Sequence, residues 1–208
     1  MNNDVDLGQV SLKYKDVLQE ISNIGAGNAM TALAEMLNCK VDMSVPKVQL
    51  LEFHEVGDIM GGAEQTMAGV FLGVEGDITA SMMFLVGIDS AKRLLYKITG
   101  GMLTGEEIGE MERSAIMEVG NIITGAYLNA LSMMTNMKIF PTPPQLSIDM
   151  ASAILSVPAT YFGMNGDQIL LIQTKFFDEA EIDGYFVLIP DLESYGKILS
   201  SLGISMEV

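Results

Sequence analysis

Asp16-Val-Leu-Gln-Glu20-Ile-Ser-Asn23-Ile-Gly-Ala-Gly27 has a counterpart 98 residues later in Ser114-Ala-Ile-Met-Glu118-Val-Gly-Asn121-Ile-Ile-Thr-Gly125. The register holds beyond this stretch. Ala32-Leu33 meets Ala130-Leu131, and the proline separated from each asparagine by 22 residues is Pro46 in the first copy and Pro144 in the second. Self-similarity at a fixed displacement is the signature of a repeated structural unit, so the chain reads as two copies, about 12–100 and 104–203. Apolar runs suited to strands recur in the same order: Val48 to Phe53 with Leu146 to Met150, Gly69 to Val74 with Gln168 to Thr174, and Ile78 to Val86 with Tyr185 to Ile189. A helix-like stretch closes each copy, Asp89 to Ile98 and Asp191 to Leu202.

The opening segment of each copy carries helical periodicity. Leu18, Ile21, Gly25, Ala29, Leu33 and Met36 recur at steps of three and four, which predicts a helix from Leu12 to Leu37 with one buried face. Its counterpart is expected over Glu106 to Met134, opened by Thr104 and Glu107 at the spacing of a capping box. Glu75-Gly-Asp77 reads as a hairpin turn, Asp178 to Gly184 as a longer hairpin loop, and Gly57 to Gly62 and Ser152 to Val157 as short helices or turns. The expected class is α+β: an internally duplicated, pseudo-two-fold domain with two long helices packed on a largely antiparallel sheet. Only Thr99 to Gly105, a glycine-punctuated connection, joins the copies. Each copy alone approaches the size at which a core is marginal, so one domain over 1–208 is expected rather than two independent ones.

Composition narrows the function. Apolar residues make up 49% of the 208 positions and charged ones 18%, a balance of a folded chain rather than a disordered acidic tail. Twenty-seven acidic side chains against 11 basic ones leave a formal charge of −16, which disfavours nucleic acid and anionic membrane surfaces as partners. Cys39 is the single cysteine, so neither an internal disulfide nor a thiolate zinc cluster is expected, and the compartment reads as reducing. The start, Met1-Asn2-Asn3-Asp4, lacks the features of a signal peptide, and no run of 18 apolar residues follows, so a cytoplasmic location is expected. His54 is the one histidine and reads as a surface or boundary residue; it leaves no histidine metal site and no serine or cysteine triad. The 17 methionines read mainly as core filler, with exposed ones suited to adaptable docking.

Projected on a helical wheel, Asp16, Glu20, Asn23, Gly27 and Thr31 form one stripe, and Ser114, Glu118, Asn121, Gly125 and Asn129 form the same stripe in the second copy. One Glu-x-x-Asn on a helix is usually only its solvated face. Two copies that agree here while differing at most other positions argue that the pair is retained for a purpose. Gly25, Gly27 and Gly125 are read as allowing close helix packing. Gly25-Ala-Gly27 has no following lysine and sits inside a helix, which rules out a P-loop. A carboxylate can pair with a partner's cation, and an amide, with donor and acceptor on one group, can orient water. Together they suit water attack on an activated electrophile such as an acyl phosphate.

The pattern Asp/Ser-x3-Glu-x2-Asn-x22-Pro, present as Asp16-Glu20-Asn23-Pro46 and as Ser114-Glu118-Asn121-Pro144, resembles the signature of the CheC family of chemotaxis phosphatases. The strings Glu20-Ile-Ser-Asn-Ile-Gly-Ala-Gly-Asn-Ala and Pro143-Pro-Gln-Leu-Ser-Ile-Asp-Met150 strengthen the match, which runs from about Tyr14 to Gly203. The resemblance implies hydrolysis of the aspartyl phosphate of the response regulator CheY-P. Asn23 and Asn121 would position the attacking water, and Glu20 and Glu118 would pair with the regulator's lysine. Asp16, Ser114, Pro46 and Pro144 would support the motif. No cofactor would be needed in this chain, since Mg2+ would belong to the regulator. It also implies binding to the deamidase CheD, for which Asp149 and the segment through Ile154 are the candidate contact. The machinery is sparse, but an acyl phosphate is already labile, and a hundredfold acceleration needs only about 2.7 kcal/mol. A non-catalytic CheD-binding adaptor is the alternative reading. A flagellar-switch phosphatase resembling FliY is a further one, disfavoured because that family adds a C-terminal domain beyond a second repeat.

Overall fold

The computed structural model describes residues 12–38, 40–44, 46–101, 108–162, 168–177 and 181–203. Its elements run α1 (Leu12–Leu37), β1 (Asp42–Met43), β2 (Lys47–Glu52), α2 (Phe53–Ile59), β3 (Thr66–Gly76), β4 (Ala80–Gly87), α3 (Ile88–Ile98), then α4 (Glu110–Thr135), β5 (Ile139–Pro141), β6 (Gln145–Met150), α5 (Ala151–Phe162), β7 (Gln168–Phe177), β8 (Glu181–Pro190) and α6 (Leu192–Ser201). The second seven elements repeat the first seven in type and order. Each copy is richer than the helix, three strands and helix read from the sequence, since a short strand follows the long helix. The short helices or turns read at 57–62 and 152–157 are α2 and α5, which begin earlier, at Phe53 and Ala151, and separate the second strand of each copy from the third. Phe53 opens α2 instead of ending a strand. Gly184, read as the end of a hairpin loop, lies within β8 opposite Thr174 and Val86.

The eight strands form one sheet, with β2 and β1 on β7, then β7–β8–β4–β3, and β5 and β6 on β3; every pairing is antiparallel. The copies exchange strands, for β2 of the first lies on β7 of the second, and β6 of the second lies on β3 of the first. The registers are themselves duplicated. Phe71 faces Met83 across β3 and β4, and Gln173 faces Tyr185 across β7 and β8, each residue 102 positions further on. Lys47 faces Gln173 while Gln145 faces Phe71. At the centre, Phe84 of β4 faces Phe186 of β8, and the rings stack at 5.1 Å between centroids. A pseudo-two-fold axis through this pair relates the copies.

Strand alternation sends one side-chain set to each face. Val70, Leu72, Met82, Phe84, Ile172 and Phe186 bury against α1, α3, α4 and α6, while Met67, Met83, Leu85, Leu171, Tyr185 and Val187 bury against α2 and α5. The long helices pack on each other as well as on the sheet. Gly25 is packed against the Tyr127 ring, and Gly120 against Val70, where a β-carbon would lie 2.5 Å from the valine. Tyr127 continues onto Phe186 with ring centroids 4.5 Å apart.

Both long helices have 26 residues, and each is followed by an asparagine in the left-handed conformation, Asn38 at φ 48° and Asn136 at φ 56°, a geometry that stops a helix. The start of α4 departs from the sequence reading. The helix begins at Glu110, behind Gly109 with extended backbone, rather than at Glu106. Thr104 and Glu107 lie outside the described residues. Glu110 and Glu112 in the first turn favour the positive end of the helix dipole.

Because the backbone of α4 rests on Val70, Gly120→Ala is expected to destabilise the fold by about 1–3 kcal/mol through overpacking. Adding Val70→Ala should recover part of that loss, so chemical denaturation of the two single variants and the double variant should give a non-additive cycle.

Candidate functional site: two Glu-Asn stripes

The sheet and the partner helix consume the inner faces of α1 and α4, which fixes what the outer faces present. On α1, Leu18, Ile21, Ala26, Ala29 and Leu33 are buried, and Glu20, Asn23 and Thr31 are exposed. On α4, Ile116, Val119, Ile123 and Ala130 are buried, Ser114, Glu118 and Asn129 are exposed, and Asn121 is half-buried. Both Glu-Asn pairs thus lie on the outside of helices whose other faces hold the core. Asp16 belongs to α1, and its side chain lies outside the described residues. The Ser114 hydroxyl turns back to donate to the Glu110 carbonyl at 3.0 Å.

The prolines stand at the heads of strands. Pro46 is buried immediately before β2, and Pro144 is half-buried immediately before β6. In the first copy a residue that the repeat did not flag joins the parts. Gln19 Nε2 donates to the Pro46 carbonyl at 2.7 Å and to Asn23 Oδ1 at 3.2 Å. The corresponding position of the second copy is Met117, so comparison of the copies hid Gln19 instead of revealing it.

The glycines divide. Gly25 does what the sequence suggested, admitting Tyr127. Gly27 and Gly125 do not: a β-carbon on either would meet nothing within 4 Å. They sit on the outer stripes, one turn beyond Asn23 and Asn121, where the fold itself makes no use of their bareness and the helix loses about 1 kcal/mol at each relative to alanine. What they provide is a low place on the helix surface beside each asparagine.

Asp149 lies exposed in β6 opposite Met67, its Oδ1 accepting the Met150 amide at 2.8 Å. The segment that follows is only partly available as a contact, for Met150 and Ser152 are exposed while Ala151 and Ile154 are buried. His54 belongs to α2, and its side chain, like Cys39, lies outside the described residues. Among the described residues no three of His, Cys, Asp and Glu gather to hold a metal ion, and no helix is long and apolar enough to cross a membrane.

A model of the CheC-like family matches residues 15–50 and 111–148, the two helix and strand segments that carry the pairs and the prolines. The CheY-P phosphatase CheC of Bacillus subtilis is 36% identical over 197 residues, covering 92% of this chain and 94% of that protein. The chain belongs to the CheC family. Among solved structures, FliY of Thermotoga maritima matches with a TM-score of 0.74 at 20% identity over 94% of this chain and 98% of that one. A chain of the CheX–CheY–BeF3–Mg2+ complex of Borrelia burgdorferi matches with a TM-score of 0.53 at 17% identity, over 80% and 95%. These structural likenesses speak for the fold.

For this CheC-family chain the contrast among the glycines is measurable. Gly27→Ala and Gly125→Ala are each expected to raise the unfolding free energy by about 0.5–1 kcal/mol. Gly25→Ala, which must displace the Tyr127 ring, is expected to lower it by about 1–3 kcal/mol. Urea titrations of the three variants check both signs.

Proposed function

We propose that this chain is a chemotaxis protein phosphatase that hydrolyses the aspartyl phosphate of the response regulator CheY-P in the cytoplasm. The observation that carries the reading is the outward display of both Glu-Asn pairs, in a chain 36% identical to a protein named CheY-P phosphatase. Asn23 and Asn121 each enter the regulator's phosphoryl pocket, where the amide holds a water in line with the phosphorus. Water attacks, the P–O bond to the aspartate breaks, and the products are inorganic phosphate and the free carboxylate. Glu20 and Glu118 pair with the regulator's lysine, anchoring the complex one turn from each asparagine. The Mg2+ stays with the regulator and this chain contributes no cofactor. Positioning and electrostatics suffice for this chemistry because the electrophile is already activated.

Gly27 and Gly125 fit the same reading, since they let the regulator's surface approach the helix backbone beside the asparagine. CheD is a second partner in this proposal, docking at Asp149. Exposed Met150, at the end of the same strand, and exposed Val157, on α5, favour an adaptable protein contact there. A CheD adaptor without hydrolysis is the competing function on the same surface.

Decay of purified CheY-P separates the readings. The wild-type chain should accelerate it, Asn23→Ala and Asn121→Ala should each retain part of that acceleration, and the double variant should lose it almost completely. Unchanged acceleration in the double variant overturns the mechanism, and no acceleration by the wild type, even with CheD, favours the adaptor. Gly27→Ala combined with Gly125→Ala should raise thermal stability while slowing dephosphorylation.

A further inference from the structure

The two Glu-Asn pairs differ in what holds the asparagine. Gln19 lies half-buried on α1 between Asn23 and the chain leading into β2, and its Nε2 reaches both the Pro46 carbonyl and Asn23 Oδ1. The first bond determines the second. A proline carbonyl can only accept, so the Gln19 atom facing it must be nitrogen, and the Asn23 atom facing that nitrogen must then be oxygen. The amide of Asn23 is thereby held with Oδ1 toward Gln19 and Nδ2 on the opposite prong. The anchor is stiff: Pro46 is buried, its φ is confined by the ring, and the next residue, Lys47, begins the six-residue ladder of β2 on β7. A methionine at position 117 has no N–H to offer Asn121 or the Pro144 carbonyl.

Resting on the phosphatase reading, we infer that Gln19 is a positioning residue for Asn23. It transmits the rigidity of the sheet to the amide that orients water, and it makes the site on α1 preorganised in a way that the site on α4 is not. Gln19 does not touch the phosphoryl group. It acts by removing amide orientations of Asn23 that cannot hold water in line, so it bears on the chemical step after docking and leaves regulator binding to Glu20 and the surrounding surface. This assigns Pro46 a second role beside leading into β2, that of supplying a fixed acceptor to the helix.

The test uses the full chain carrying Asn121→Ala, so that only the site on α1 turns over, with CheY-P as substrate under saturating and subsaturating conditions. Gln19→Met copies the second site, and Gln19→Glu keeps the shape while removing the donors. Both are expected to lower kcat roughly five- to tenfold with KM unchanged, a range set by the sensitivity of such reactions to orientation. Melting temperatures within experimental error of the parent would show that the fold is intact. Unchanged kcat in both variants, or a loss carried by KM, overturns the inference. If Asn121→Ala is inactive while Asn23→Ala is active, the inference falls and the phosphatase reading stands. If the wild type and both single-asparagine variants fail to accelerate CheY-P decay, the phosphatase reading itself falls and the inference with it.

Discussion

The contact on which the arrangement depends is the stack at the pseudo-two-fold axis, where Phe84 meets Phe186, Phe186 carries Tyr127, and Tyr127 fills the space that Gly25 leaves open. Aromatic pairs of this kind add about 0.5–1.5 kcal/mol each beyond their burial. Their larger effect is geometric. They join the central strands to α4 and α4 to α1, so the side of each long helix that turns inward is no longer a matter of choice. Once Leu18, Ile21, Ala29 and Leu33 are committed to the core, Glu20 and Asn23 are committed to solvent, because residues three and four apart share a face.

Strand exchange extends this dependence across the whole chain. Pro46 belongs to the first copy, yet the strand that follows it is held by β7 of the second. Pro144 belongs to the second copy, yet β6 is held by β3 of the first. Each proline is thus positioned by the copy that does not contain it. The opposite face of the sheet is covered by the short helices α2 and α5, and there Ile154 approaches the bare backbone at Gly69. A surface for a second partner near Asp149 would sit at the margin of that layer, on the far side of the sheet from the Glu-Asn stripes.

The two sites share a backbone plan and differ in their furniture. The first has an exposed asparagine bridged through Gln19 to a buried proline carbonyl; the second has a half-buried asparagine with methionine at the bridging position. The rims differ too, since α4 exposes Met111 and Met133 on the flanks of its stripe, whereas α1 has Glu35 exposed at the position matching Met133. Duplication of a helix and a strand evidently does not oblige the copies to hold the amide in the same way.

Much of this was legible in the residues alone. The 98-residue repeat, the helix α1 with its end at Leu37 and the apolar runs of the core strands follow from the pattern of apolar residues, because a helix face buried by packing must be apolar at the period of its backbone and a strand buried on both faces is apolar throughout. The Glu-Asn stripes follow from the same rule, read for polar residues that recur twice. The start of α4 was misplaced because a capping spacing at Thr104 looks the same whether or not the helix has begun. The added strands were missed because two- and three-residue strands carry too little pattern to register, and α2 and α5 were legible only as short helices or turns at 57–62 and 152–157, without their full spans. What only the tertiary structure decided are relations between distant residues. The exchange of β2 and β6 between copies, the emptiness above Gly27 and Gly125, and the bridge from Pro46 through Gln19 to Asn23 each depend on how elements meet in space. Periodicity records which side of an element is buried, but it carries no information about what lies against it.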